Sequence, residues 1–599
     1  MAKRLVMGNE AIALGAIRAG VGLVAGYPGT PSTEILETAA RENPGDLYVE
    51  WSVNEKAALE VAAGAAYAGM RTMVTMKQVG LNVASDPLMS LAYVGVKGGM
   101  VVVVADDPGP ITSQTEQDTR HFASFSKLPV FDPSSPEEAY EMIGAAFALS
   151  EAHGTPVLFR PTTRVCHACA SIEISEERQK IQPEGFIKDP KWGIFPRLSY
   201  LNHLHIEKRN PMIGEEFSHS PYNRILPGEG KLGIVSGGIS WAYTCEAMSL
   251  LDASPRCLKV GTPFPFPESL ALEFLNGLDQ VLVVEELDPV LERELVYLCG
   301  KHHLPVTIRG KLTGDMPQAG ENTVESVKKA LANFLGLSLA EQPAPELPQL
   351  PVRPPVLCAG CPHRASFYAV KQAMKGQKAI FCGDIGCYTL GNAQPLDMVD
   401  TCLCMGADVT IAQGLYRAEP GVKTFSFIGD STFFASGITG VVNAVYNEHD
   451  LTLIVLDNAT TAMTGHQPHP GTGKTMMGAI SRKISIPDVL KAIGVQSVVT
   501  VDPLDLAAAV QAVQEAAAQP GVTAVIFRSP CIAVTKPAPL FKVESDKCIG
   551  CRKCIRELGC PAIVMDGKKA AVEPSLCYGC SLCAQVCPVG AIVREEEKA

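Results

Sequence analysis

The sequence predicts an α/β chain of several parallel-sheet domains that ends in a small cysteine-rich domain. Three observations carry that prediction. At 599 residues the chain is too long for one hydrophobic core, so it must divide. Apolar, strand-like runs alternate with helical patterns over most of its length, which is the pattern of βαβ units. Eight cysteines fall within the 40 residues from Cys548 to Cys587.

Composition narrows the class. Hydrophobic residues make up 47% and charged residues 19%, as in an ordinary globular protein. A net charge of -12 argues against a general nucleic-acid binder, which needs clustered Lys and Arg. No apolar stretch is long and uninterrupted enough to span a bilayer. Gly8, Asn9 and Glu10 interrupt the basic start before an apolar signal core forms. The expected setting is cytoplasmic. There the 20 cysteines serve as thiols and metal ligands rather than disulfides.

The elements follow in chain order. Residues 1–180 form the first expected α/β domain. "VGLVAGYPGTPSTEI" reads as a buried strand, a turn and a helix capped by Thr30, Ser32 or Thr33. "TMVTM" and "MVVVVADDPG" are further strands, and "NEKAALEVAAGAAYAG" a helix between them. Residues 181–229, rich in Pro, His and Asn, read as an irregular connection. Residues 230–336 form a second α/β domain with strands in "LGIVSGG", "QVLVVEE" and "LPVTI". Residues 337–356 are a Pro-rich linker. Residues 357–538 form a third α/β domain, and residues 539–599 the cysteine-rich tail. Two nucleotide motifs fail on context. "GEGKLG" precedes a strand instead of following one, and "PHPGTGKT" has Pro468 where a phosphate loop needs its first Gly.

In the tail, Cys577, Cys580, Cys583 and Cys587-Pro588 have the bacterial ferredoxin spacing for a [4Fe–4S] cluster. The first run, Cys548, Cys551 and Cys554, is followed by five residues before Cys560-Pro561 instead of three. The tail resembles a two-cluster ferredoxin. That resemblance implies one cluster on Cys548, Cys551, Cys554 and Cys587, and another on Cys560, Cys577, Cys580 and Cys583. Zinc is the alternative for paired CxxC motifs. The eight cysteines and two Cys-Pro ends favour iron–sulfur.

In the third domain, "KTFSFIGDS" and "LTLIVLDNAT" are apolar strands ending in Asp430 and Asn458, with a helix expected between them. Parallel neighbours bring both ends to one edge of the sheet, where open α/β sheets bind ligands. A carboxylate and an amide oxygen suit Mg²⁺, and the helix N-terminus suits a phosphate. "GDS…DN", with 25 residues between Ser431 and Asp457, resembles the thiamine diphosphate motif. Ser431 stands for its usual last Gly, and Asp457 for its first Asn. The resemblance implies a thiamine-diphosphate-binding fold, with Gly429, Asp430 and Ser431 at the diphosphate. It implies Mg²⁺ on Asp430, Asn458 and a backbone oxygen of Thr460. Such enzymes use a second α/β domain that offers a carboxylate to the cofactor's aminopyrimidine. Glu55, opening an Ala-rich helix, is the candidate. An apolar setting raises such a carboxyl. Taken alone, it is also a Glu favoured at a helix start by the macrodipole.

Together, "AGYPGTPSTEI", "NEKAALEVAAGAAYAG", "LCAGCPHRA" and "FCGDIGCYTLG" are similar to the large subunit of indolepyruvate ferredoxin oxidoreductase, among the 2-oxoacid:ferredoxin oxidoreductases. The resemblance implies that residues 1–180 bind the pyrimidine and residues 357–538 the diphosphate, and that residues 230–336 are like the C-terminal domain of transketolase. It places Thr30 near cofactor and substrate, makes Glu55 the activating glutamate, and puts Arg120 on the 2-oxoacid carboxylate. Cys361, His363, Gly386 and Cys387 fall in loops around the cofactor. Cys358 and Cys361 are read as not sharing a metal, since no second pair is evident, and Cys166 and Cys169 as incidental. The implied reaction is oxidative decarboxylation of arylpyruvates to aryl-acetyl-coenzyme A. Its electrons leave singly through the clusters to ferredoxin, with a small subunit as partner in a heterotetramer. The alternatives are a non-oxidative thiamine-dependent decarboxylase, which needs no iron–sulfur tail, and a non-catalytic electron-transfer scaffold.

Overall fold

The computed structural model describes residues 2–339, 348–478 and 482–595. It divides into two units, Met1–Glu346 and Leu347–Ala599. Among the described residues no helix is long and apolar enough to cross a membrane.

The first unit holds two five- or six-stranded sheets. The larger has the order Tyr48–Trp51, Leu23–Gly26, Thr72–Lys77, Met100–Ala105, Val157–Phe159, Val130–Phe131, and every pairing is parallel. Its central strand, MVVVVA, is buried at every position, as a strand covered on both faces must be. The second sheet has the order Thr307–Arg309, Gln280–Val284, Leu232–Gly237, Arg256–Val260, Arg224–Leu226, with only the last strand antiparallel. "GEGKLG" is a turn running into the strand Leu232–Gly237.

Residues 181–229 are not irregular throughout. They contain a 23-residue helix, Pro196–Ser218. The expectation failed because Pro, His and Asn mask the period. Pro196 sits at the helix start, where its missing N–H costs nothing. Pro211 lies inside the helix, where it removes one backbone bond. Ile206, Arg209, Ile213 and Phe217 nonetheless recur at helical spacing and are all buried. The strand Arg224–Leu226, also in this span, belongs to the second sheet. Of the linker 337–356, residues 340–347 lie outside the described residues. The described remainder forms no helix or strand.

The second unit is built on a five-stranded parallel sheet, ordered Ala379–Gly383, Lys423–Gly429, Leu451–Asp457, Val522–Arg528, Ser497–Val501. The helix expected after Asp430 forms as Asp430–Thr432 and Ile438–Tyr446, joined by a π-turn at Phe433–Gly437. Such turns concentrate at functional sites. The tail has two antiparallel ribbons, Phe541–Val543 with Ile592–Arg594 and Ile563–Asp566 with Lys569–Val572. It is not tethered loosely. Leu558, Leu582 and Val586 are buried in the same hydrophobic cluster as Leu357, Phe367 and Tyr368.

Candidate functional site

In the first unit, Glu55 is the first residue of the helix Glu55–Tyr67. Asn54 caps that helix by accepting from the Ala57 N–H at 2.9 Å. The Glu55 side chain is 8% exposed, and burial pushes its carboxyl up to about 7. Lys77, at the end of its own strand, pulls the value down less than burial raises it. Gly80 makes the space. A Cβ there would stand 2.5 Å from Oε1 of Glu55. The result is a dry carboxyl poised near neutral pH, as proton transfer to or from a ligand requires. Thr30 is half-buried on a nearby loop, and its carbonyl accepts from the Thr112 hydroxyl at 3.1 Å.

Arg120 is not at the surface. It is 2% exposed in the first turn of the helix Thr119–Ser126. Its Nε donates to Asp118 at 2.9 Å, Nη1 to Glu285 at 2.8 Å, and Nη2 to Asp118 and to the carbonyls of Glu286 and Asp288. Every guanidinium nitrogen is engaged, and the side chain ties the first sheet to the second. A substrate carboxylate would have to displace one of these partners.

In the second unit, Asp430 and Asn458 follow neighbouring parallel strands and are 2% and 6% exposed. Asp430 Oδ2 accepts from the Ala459 N–H at 2.8 Å, and Oδ1 from the Ser431 N–H at 2.8 Å. The strand-end aspartate thereby fixes the loop after the next strand. Ala459 takes a left-handed conformation with φ +62°. His469 Nε2 lies 3.1 Å from Asp430 Oδ2. Thr460 is 4% exposed, and its hydroxyl has no partner among the described residues. A buried carboxylate and an amide oxygen at one sheet edge suit Mg²⁺, with the backbone oxygen of Thr460 expected as a third donor and its orphaned hydroxyl beside them.

His363 sits in the first turn of the helix Pro362–Ala373, 3% exposed, and burial pushes its pKa down to about 4. Its Nε2 lies 3.2 Å from Asn458 Nδ2. An amide nitrogen only donates, so the imidazole is neutral and accepting, while the Asn458 oxygen accepts from the Thr460 N–H at 3.2 Å and keeps a second lone pair. Gly429 and Gly386 both clear room for Tyr388. A Cβ at either would stand 2.5 Å from that side chain. Tyr388 in turn donates to Asp384 at 2.7 Å.

The tail cysteines gather in two sets. Cys548, Cys551, Cys554 and Cys587 line one cavity. Cys560, Cys577, Cys580 and Cys583 line a second, whose wall also includes Gly360, Cys361 and Arg364 of the "CAGCPHR" loop. Among the described residues no three His, Cys, Asp or Glu side chains converge tightly enough for a single metal ion. The sulfurs of each set line a cavity, as the ligands of an iron–sulfur cluster do.

One grouping was missed from the sequence. Burial pushes the thiols of Cys387, Cys531 and Cys361 up, with Cys358 close enough to add to each and Cys531 adding to Cys387. The Cys531 N–H donates to the Asn458 carbonyl at 2.9 Å, beside the oxygen set. Cys387 and Cys531 come to Cys358 from separate loops beyond two strands, so no local spacing announces the grouping. Cys166 is buried and Cys169 exposed, both in the first unit.

Comparison with known proteins agrees with this geometry. Residues 14–211 match the family described as pyruvate flavodoxin/ferredoxin oxidoreductase, thiamine diphosphate-binding. Residues 384–527 match the thiamine pyrophosphate enzyme C-terminal binding domain, and residues 541–594 a 4Fe-4S dicluster domain. The chain is 42% identical over 577 residues to the indolepyruvate oxidoreductase subunit IorA of Methanothermobacter thermautotrophicus, covering 94% of this chain and 92% of that one. It is 41% identical over 605 residues to the IorA subunit of Pyrococcus horikoshii, covering 95% and 93%. A ketoisovalerate oxidoreductase subunit VorB from M. thermautotrophicus is 25% identical over 311 residues, covering 48% and 86%.

Proposed function

The chain belongs to the 2-oxoacid:ferredoxin oxidoreductases, alongside the indolepyruvate oxidoreductase subunits, and from that premise we propose that it oxidatively decarboxylates arylpyruvates to aryl-acetyl-coenzyme A. The coarser part is plain. It is a 2-oxoacid-oxidising enzyme that uses thiamine diphosphate and iron–sulfur clusters, and it works as one subunit with a partner. The finer part comprises the aryl substrate, the coenzyme A product, Mg²⁺, an external ferredoxin and a small subunit completing a heterotetramer.

One observation carries the reading. The loop from Gly360 to Arg364 serves both chemistries. His363 orients Asn458 in the oxygen set, while Cys361 and Arg364 line the second cysteine cavity. When bound, thiamine diphosphate supplies an electron sink for the loss of carbon dioxide from the 2-oxoacid. Glu55 holds a proton near neutral pH for the aminopyrimidine. Asp430, Asn458 and Thr460 hold Mg²⁺ at the diphosphate, with Gly429 and Ser431 beside it. Cys358, Cys361, Cys387 and Cys531 would hold a further [4Fe–4S] cluster. The tail cysteines hold the other two, so electrons leave one at a time. A non-oxidative decarboxylase would have no use for this continuity. The test is a product assay with the partner subunit. Indolepyruvate and phenylpyruvate should give thioesters and reduced ferredoxin only when coenzyme A is present. Release of the free aldehyde with no ferredoxin reduction would contradict it.

A further inference from the structure

The cavity around Cys560, Cys577, Cys580 and Cys583 has one charged side chain in its wall, Arg364. It is 4% exposed. Its Nη1 donates to the carbonyls of Leu558 and Gly559 in the tail, at 2.5 and 3.0 Å. Its Nη2 donates to the carbonyls of Leu357 and Cys358, at 2.5 and 3.4 Å. The longer gap before Cys560 supplies the first two acceptors. Its last residues are Leu558 and Gly559, and they bring their carbonyls to the guanidinium. The fifth donor is different. Nε has no partner among the described residues. A buried, unsatisfied donor on a charged group is costly, so it marks a place for an acceptor that the protein does not provide. In the other cavity the lining arginine, Arg552, is exposed, where water screens its charge.

We propose that Arg364 donates through Nε to the iron–sulfur cluster held by Cys560, Cys577, Cys580 and Cys583 and raises its reduction potential. Hydrogen bonds to the sulfurs and net charge both set such potentials. Reduction adds one electron, and so one negative charge, to that cluster. No proton moves, because the guanidinium stays charged throughout. Arg364 is a positioning residue. It makes this cluster the favoured acceptor while its Nη atoms clamp the tail onto the thiamine domain. The inference rests on the iron–sulfur reading of the tail.

The test is an anaerobic potentiometric titration, followed by EPR, of the holoenzyme and its Arg364→Gln and Arg364→Lys variants. In the Gln variant one couple should fall at least tenfold in its reduction equilibrium, about 59 mV for one electron. The Lys variant, which keeps the charge and loses the planar fork, should fall between. The couple of the cluster on Cys548, Cys551, Cys554 and Cys587, whose cavity Arg364 does not line, should stay in place. Unmoved couples in a Gln variant with full iron and sulfide would overturn the proposal. Should both variants lose iron, the wild-type enzyme labelled with ¹⁵N-arginine decides. A hyperfine coupling from arginine nitrogen to a reduced cluster is expected, and its absence overturns the proposal. Wild-type protein without iron and sulfide would instead refute the iron–sulfur reading itself.

Discussion

His363 Nε2 and Asn458 Nδ2 meet at 3.2 Å, both buried, and the amide can only be the donor. The pair fixes which Asn458 atom can meet a cation: the oxygen, which also accepts from the Thr460 N–H. Replacing His363 with Phe removes the acceptor and lets the amide turn. Mg²⁺ affinity should fall about 10- to 100-fold, as for other groups that orient a metal ligand. Titration calorimetry with Mg²⁺ and thiamine diphosphate reads this directly, and unchanged affinity would refute the orienting role.

The same histidine sets a pH dependence. Its folded pKa of about 4 lies below the ordinary value of 6.5, so the unfolded chain binds the extra proton first. Stability should therefore fall as pH drops from about 6.5 toward 4. Urea unfolding across that window should show the slope in the wild type and lose it in the His363→Phe variant.

Glu55 makes the opposite prediction. Its folded pKa of about 7 lies above the ordinary 4.5, so its neutral form suits the fold. The contribution is present below pH 4.5 and lost as pH rises through about 7. A Glu55→Gln variant should match the wild type near pH 5. At pH 8 it should be more stable by up to about 3 kcal/mol, while losing activity at every pH. A variant less stable at pH 8 would contradict the desolvation account.

How far the sequence reached can be judged from these residues. Asp430 and Asn458 were legible because a parallel strand–helix–strand unit fixes where its strand ends point. The tail sets were legible because the resemblance to a two-cluster ferredoxin pairs cysteines from opposite ends. The site of Arg120 was not. Its partners Glu285 and Glu286 follow a strand of another sheet, Gln280–Val284, far along the chain. Cys531, and the grouping of Cys387 with Cys358, escaped for the same reason, since topology and not spacing brings them together. The helix Pro196–Ser218 escaped because its prolines and histidines hide an ordinary buried stripe.

Arg120 separates a structural from a substrate role. Arg120→Ala leaves Asp118 and Glu285 buried without their partner and should cost about 3–5 kcal/mol in denaturant unfolding. A fully stable variant whose only defect is a raised KM for the 2-oxoacid would assign the guanidinium to the substrate instead.

Cys531 tests the missed grouping. The wild-type chain should carry about twelve irons, and a Cys531→Ser variant nearer eight, with both tail clusters intact by EPR. About eight irons in both proteins would remove the third cluster from the account.

The central claim is that the carbon chemistry and the iron–sulfur tail form one device. It is tested most directly by the visible spectrum of the anaerobic holoenzyme on adding indolepyruvate with thiamine diphosphate, Mg²⁺ and coenzyme A. The account predicts prompt bleaching of the iron–sulfur absorption, absent in Glu55→Gln. No bleaching by any arylpyruvate, with dithionite still reducing the clusters, would contradict it.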